Sequence, residues 1–162
     1  MSKTKASSFD SPDASKMWAR PGFLLRRLHQ IHYGLFFDEC GSSITPLQFG
    51  MLTVLTELPK GLDIGGLANK LGIDRSNTAD IARRLVRRGY ATQTIDAKDR
   101  RRLLTQITKE GRQFLKQMEA PMRRSQEQLL APLSATQKAA LMTILQTLVQ
   151  TYNDKGRAKM SI

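Results

Sequence analysis

The sequence predicts a mainly α-helical domain that carries one small β-hairpin, and three observations predict it. Apolar residues recur at helical spacing near both ends of the chain: Leu24, Leu28, Ile31 and Leu35 in one half, and Leu141, Ile144, Leu145, Leu148 and Tyr152 in the other. Between them, two short amphipathic segments meet at a turn containing Gly72, which is a helix-turn-helix pattern. Directly after it, the Thr- and Ile-bearing stretches YATQTI and LLTQIT flank the polar run DAKDRRR, the signature of a hairpin or wing.

Taken in order, residues 1 to 15 are rich in Ser, Lys and Asp and nearly lack large apolar side chains, so they are expected to form a disordered arm. Residues 16–154 read as one unit, with helices over about 16–40 and 110–152 enclosing a helix-turn-helix and wing over about 46–109. From Pro21 a second stripe of Leu25, His29, His32 and Phe36 runs about 100° from the first, so this helix is expected to be more than half buried. Gly41 stops it, and Thr45-Pro46 supplies an N-cap followed by proline at the first helical position. The next helix, Leu47 to Leu58, carries Phe49, Met51, Leu52 and Leu55. PKGLD is a turn in which Asp63 caps a short helix holding Ile64, Leu67, Ala68 and Leu71. After Gly72, Asp74 or Ser76 caps a helix whose Ile81, Ala82 and Leu85 face inward, and Gly89 closes it. Thr108 caps a long helix from Lys109 towards Leu130, interrupted or kinked at Pro121, and Ser134 caps the last. The tail, 155–162, is expected to fray.

Charge narrows the function. Lys and Arg total 26 against 14 Asp and Glu, a net charge of +12 in 162 residues, which favours a polyanionic partner by electrostatics alone. The charge is also local: residues 74 to 102 hold nine Arg and Lys against four Asp. The one cysteine, Cys40, excludes an intrachain disulfide framework and multi-cysteine zinc patterns, and fits a reducing cytosol. No apolar run approaches the roughly 18 residues of a membrane span, and the N-terminus lacks an apolar secretory segment. A soluble cytoplasmic protein of a bacterium or archaeon, associated with the nucleoid and not with a membrane, is expected. Two histidines, one cysteine, and no Gly-rich phosphate loop or H-E-x-x-H sequence argue against catalysis, a metal site or a cofactor. An RNA reader would present exposed aromatics on a sheet, whereas the hairpin offers Tyr90 alone.

The segments ITPLQFGMLTVL, LANKLGIDRS, ARRLVRRGY and DAKDRRRLLTQITKEG together resemble the winged helix-turn-helix core of MarR-type transcriptional regulators, whose wing reads D-x-x-D-x-R before a strand ending in L-T-x-x-G. The resemblance runs from about Ile44 to Gly111, with flanking helices in the family's order. RPGFLLRRLHQIH is also similar to a subgroup associated with aromatic-compound catabolism. Two departures bear on the operator sequence: Asp80 stands where the family often has a basic or neutral residue, and Gln93 where an arginine is common.

The residues themselves suggest roles at DNA. The first turn of a recognition helix reaches base edges, so Ser76, Asn77 and Asp80 are candidates for direct readout, Asn to adenine and Asp to a cytosine amino group. Arg75, Arg83, Arg84 and Arg87 are expected to hold phosphates. At the wing tip, Asp99 is expected to orient an arginine by a charge-assisted hydrogen bond. The resemblance implies that Arg101 enters the minor groove, where negative potential concentrates, with Arg100 and Arg102 as backbone contacts.

One such unit covers a single half-site. The apolar terminal helices therefore point to dimerisation helices and a homodimer on a pseudo-palindromic operator, with half-sites roughly 34 Å apart. The resemblance further implies a repressor released by a small aromatic or phenolic effector bound between the dimerisation helices and the DNA-binding lobe. For a ligand carboxylate, Arg20, Arg26, Arg27, His29 and His32 are candidate donors, and Trp18, Phe23, Phe36, Phe49, Met51 and Phe114 the candidate apolar wall. Two alternatives stay open: an oxidant sensor acting through Cys40, disfavoured by its place after Asp38 and Glu39 at a helix C-terminus, and a ligand-independent architectural DNA-binding protein.

Overall fold

In the computed structural model, described over residues 17–156 and 158–161, six α-helices and one two-stranded antiparallel sheet follow the predicted order. The arm expected over residues 1 to 15 lies outside the described residues. The helices are α1 (Pro21–Cys40), α2 (Pro46–Thr56), α3 (Ile64–Leu71), α4 (Arg75–Arg87), α5 (Lys109–Leu130) and α6 (Ala135–Tyr152), and the strands are β1 (Ala91–Ile95) and β2 (Leu103–Ile107). Short 3-10 turns stand at Met17–Ala19 and Asn153–Lys155.

Helix starts follow side-chain chemistry. Thr45 and Ser134 form full capping boxes with Gln48 and Gln137, and Asp63, Asp74 and Thr108 accept the backbone N–H of Gly66, Asn77 and Gly111. Of the two caps predicted for α4, Asp74 is the one used. α5 runs unbroken through Pro121, so the expected interruption does not occur; the helix absorbs the lost N–H at one position.

The core forms where α2, α3, α4 and the C-terminal half of α1 meet α5 and the sheet. Phe36, Ile44, Met51, Leu52, Leu55, Leu67 and Leu85 are fully buried there. Glu39 ties α1 to α5, accepting from Arg124 Nε and Gln128 Nε2, both at 2.6 Å. The strands pair from Ala91↔Ile107 to Ile95↔Leu103. Leu62 adds a bridge to Thr105, with N–H to carbonyl distances of 2.8 and 3.1 Å, so the loop before α3 is stitched to the wing.

Two expectations are corrected. Only Phe36 and Cys40 of α1 are buried; Leu25, Leu28 and Ile31 lie exposed in the single chain, so its N-terminal half carries its apolar stripes at the surface. The tail described at 158–161 does not fray outward but returns to α3, where Ser161 N–H donates to the Asn69 carbonyl at 2.7 Å. α6 buries no residue, and Met142, Ile144, Leu148, Val149 and Tyr152 are exposed along it. No helix among the described residues is long and apolar enough to cross a membrane.

Candidate nucleic-acid interface

α3 and α4 meet at Gly72, which takes the left-handed conformation (φ +64°) that lets the chain leave α3 and start α4 three residues later. The inner face of α4 is held by buried Thr78, Ile81, Ala82 and Leu85, and Thr78 Oγ1 donates to the Asp74 carbonyl at 2.8 Å. This leaves Arg75, Ser76, Asn77, Asp80, Arg83, Arg84 and Arg87 on one exposed surface, as their spacing predicts. The Arg75 guanidinium lies against Gly65, where a Cβ would come within 3.3 Å of it, so the absence of a side chain on α3 makes room for that cation.

Asp80 does not stand free to read a base. Arg83 Nη1 donates to its Oδ1 at 2.6 Å, so both are joined in an exposed pair one turn apart. An exposed pair of this kind is worth at most about 1 kcal/mol, so opening it against DNA costs little. Arg84 and Arg87, with Arg88, line a cleft of about 340 Å³ opposite Ser42, Ser43, Thr45 and Gln48. The positive edge of α4 therefore extends to the N-terminus of α2. Arg88, Ser42 and Ser43 were not picked out by sequence; only the folded approach of α2 to the end of α4 brings them together.

The wing tip is organised by its acids through the backbone. Asp96 Oδ1 accepts from Lys98 N–H at 2.9 Å and Asp99 Oδ1 from Arg101 N–H at 3.0 Å, while Asp96 N–H and Arg102 N–H close the turn on the Arg102 and Asp99 carbonyls. Asp99 therefore orients Arg101 as expected, by a charge-assisted hydrogen bond, but through the backbone N–H of that residue and not its guanidinium. Arg102 has partners within the chain: its Nε donates to Asp63 Oδ2 at 2.9 Å, and its Nη1 lies 3.8 Å from Asp96 Oδ2. It braces the wing against α3, leaving Arg100 and Arg101 exposed at the tip.

Asp63 thus serves twice, since its other oxygen caps α3 through Gly66 N–H at 2.8 Å. That backbone bond, reinforced by Arg102, holds its carboxyl below the usual carboxylate range despite partial burial. At the other end of the wing, Thr108 Oγ1 donates to the Gly89 carbonyl at 2.7 Å and accepts from Gly111 N–H at 3.0 Å. A Cβ at Gly111 would collide with the Tyr90 carbonyl, which explains the glycine of the T-x-x-G sequence.

The residues proposed from sequence as an effector pocket scatter. Phe36 and Met51 are fully buried in the core, so they pack the chain and do not line an open wall. Phe114 stacks on Tyr90, centroids 4.5 Å apart. Phe49 lines a cleft of about 370 Å³ between α2 and α5, with Thr53, Thr56, Arg112, Leu115, Lys116 and Glu119. At the start of α1, Trp18 meets Phe23 edge-on at 5.4 Å and Arg26 lies over the Phe23 ring at 5.3 Å. The Arg20 carbonyl accepts from Phe23 and Leu24 at the head of the helix, and Arg27 is exposed. His29 and His32 both contact the Tyr33 ring, at 4.7 and 6.0 Å, and burial together with His29 holds His32 below the ordinary imidazole value. Tyr33, which sequence did not single out, lines a cleft of about 230 Å³ shared with Gln48, Asn77, Asp80 and Arg84. It places an aromatic group of α1 beside the exposed face of α4.

Cys40 is buried, and burial and Glu39 push its thiol up, against the opposing influence of Arg124. The reactive thiolate is disfavoured there.

Comparison with known proteins agrees with this arrangement. The MarR family profile matches residues 42–102. A probable transcriptional regulator from Pseudomonas aeruginosa is 30% identical over 82% of this chain and 99% of its own, with a TM-score of 0.79. The PcaV transcriptional regulator from Streptomyces coelicolor, solved with its natural ligand, is 32% identical over 83% of this chain and 94% of its own, with a TM-score of 0.78. The transcriptional repressor CouR, bound to a 23-mer DNA duplex, is 27% identical over 82% of this chain and 94% of its own, with a TM-score of 0.76. No curated protein sequence matches the chain. With the arginine-bearing helix, the wing and these relatives in agreement, the chain belongs to the MarR family and is a DNA-binding transcriptional regulator, not an enzyme.

Proposed function

We propose that the protein is a cytosolic, homodimeric repressor that binds a pseudo-palindromic operator and is released by a small aromatic or phenolic effector, with an aromatic acid as the specific candidate. One observation carries the dimer: α6 buries none of its residues, and its exposed apolar side chains join those of Leu25, Leu28 and Ile31 on α1 in needing a cover. Apolar side chains left open along two helices mark an association face, and a second copy related by twofold symmetry supplies the same surface in return. Two α4 helices then face successive turns of the major groove.

In this reading Arg75, Ser76 and Asn77 meet the groove edge and floor, Arg84 and Arg87 hold phosphates, and Arg101 enters the minor groove with Arg100 beside it. Asp80 and Arg83 contribute after their pair opens. The solution of PcaV with its natural ligand and of CouR with DNA supports a chain that answers to both kinds of partner. For the effector, Arg26, His29 and His32 on α1 and Phe49 at the α2–α5 cleft are the groups with the right chemistry for an aromatic acid.

The test is association and DNA binding together. Ile144→Glu with Leu148→Glu places charge on the α6 face without touching α4 or the wing. The double variant is expected to sediment as a monomer and to lose at least tenfold in operator affinity; a variant that stays dimeric and binds normally overturns the interface.

A further inference from the structure

The tail is expected to fray, yet two adjacent residues of it, Met160 and Ser161, are held by directional bonds. Asn153, at the end of α6, grips the backbone of Met160: its Nδ2 donates to the Met160 carbonyl at 2.6 Å, and Met160 N–H donates to its Oδ1 at 3.0 Å. The next residue, Ser161, donates its N–H to the Asn69 carbonyl at 2.7 Å. Asn69 lies in the last turn of α3, where carbonyls lack a helical partner, so the tail satisfies a group the helix leaves open. Met160 also rests on the turn itself, since a Cβ at Gly72 would come within 3.2 Å of its own Cβ. Leu71, Val149, Tyr152 and Ala158 border the same apolar crevice.

We propose that Asn153, Met160 and Ser161 form a clasp that ties α6 to the helix-turn-helix and positions the first turn of α4. The inference rests on the dimeric DNA reader proposed above. α6 has no buried residue, and Asn153 at its end holds Met160 beside the α3–α4 turn, so the clasp sets where the DNA-reading lobe stands relative to an interface built on α6. The point of attachment matters. Gly72 is two residues from Asp74, the cap of α4, and a left-handed glycine is a natural pivot. Without Met160 and Ser161 against it, α4 keeps its fold but gains freedom to swing about this turn, and the distance between the two recognition helices of a dimer is no longer sharply set. Asn153 and Met160 are therefore positioning residues: they touch neither DNA nor effector, and act through α4.

The experiment uses the full chain and duplexes selected from random DNA by the wild-type protein, each made again with one base pair inserted between its half-sites. The wild type is expected to lose about tenfold or more in affinity on insertion, because the second helix then misses its groove position. Asn153→Ala, which removes both bonds to Met160, is expected to bind the original duplex within about threefold of wild type and to lose less than about threefold on insertion. Asn153→Asp, which keeps the acceptor, should fall between. In the same proteins without DNA, amide exchange at residues 69–77 should quicken about tenfold in Asn153→Ala while that of α2 stays unchanged. An unchanged insertion penalty with unchanged exchange overturns the clasp, as does exchange that quickens throughout the molecule, which would mark a merely structural role. Sedimentation keeps the two readings apart: a monomeric wild type refutes the dimer, and the exchange result then decides the clasp alone.

Discussion

Replacing Asp63 with Asn separates the two duties of that residue. Its Oδ1 caps α3 at Gly66 and its Oδ2 receives Arg102 from the wing. Asn caps a helix about as well as Asp, so Asp63→Asn removes the ion pair and the favourable charge at the helix N-terminus but keeps the cap. The Arg102 and Asp63 side chains are 45% and 30% exposed, so solvent screens the pair and its loss costs about 0.5–1 kcal/mol. Asp63→Ala also loses the cap, for a total of about 1.5–2.5 kcal/mol. In a protein of this size each kcal/mol moves Tm by about 2–4 °C, so the two variants separate in a thermal melt. The pH dependence follows from the lowered carboxyl. Because the folded pKa lies below the ordinary 3.8, the stabilisation is present above that value and is lost as pH falls through the folded one. The gap between wild type and Asp63→Asn, read from urea midpoints, should therefore stay constant from pH 7 to about 5 and close below it. Arg102→Ala should reproduce the Asn effect, with a double variant scarcely worse than either single one. A gap that survives undiminished at pH 3, or an Asn variant as unstable as the Ala variant, refutes the strut.

Arg101→Ala should weaken operator binding about tenfold and flatten its salt dependence by about one unit of log–log slope, with the dimer intact in sedimentation. Undiminished affinity at physiological salt would remove the wing arginine from the interface. Gly111→Ala should destabilise by about 1–2 kcal/mol in denaturant titration, because the collision with the Tyr90 backbone outweighs the gain in helix propensity; a more stable variant contradicts that packing. Native Cys40 should resist alkylation until the chain unfolds, and peroxide should leave DNA binding of the wild type equal to that of Cys40→Ser. Peroxide-driven release that Cys40→Ser abolishes would restore the oxidant-sensing alternative.

Where a role depends on neighbours a few residues away, it was legible in the chain. Thr45, Asp63, Asp74, Thr108 and Ser134 each cap the helix that follows because the bond they make reaches only three residues ahead. The exposed face of α4 follows likewise from the spacing of Ile81, Ala82 and Leu85 against its arginines. The errors share a cause. Asp80 is an acid among many arginines, and composition does not say which donor reaches it: Arg83 does. Phe36, Met51 and Phe49 are alike as apolar residues at helical spacing, yet two fill the core and one lines a cleft.

By itself, then, the chain determined its helices, its hairpin, its basic surface and its family, since periodicity, caps and charge density are properties of short windows. Only the tertiary structure decided that Arg102 braces Asp63 across 39 residues, that Leu62 is stitched to the wing, and that the tail returns to α3. It also decided that the apolar faces of α1 and α6 stay open in one chain. Those facts depend on which distant surfaces meet, and a hydrophobic stripe specifies that it must be covered without specifying by what.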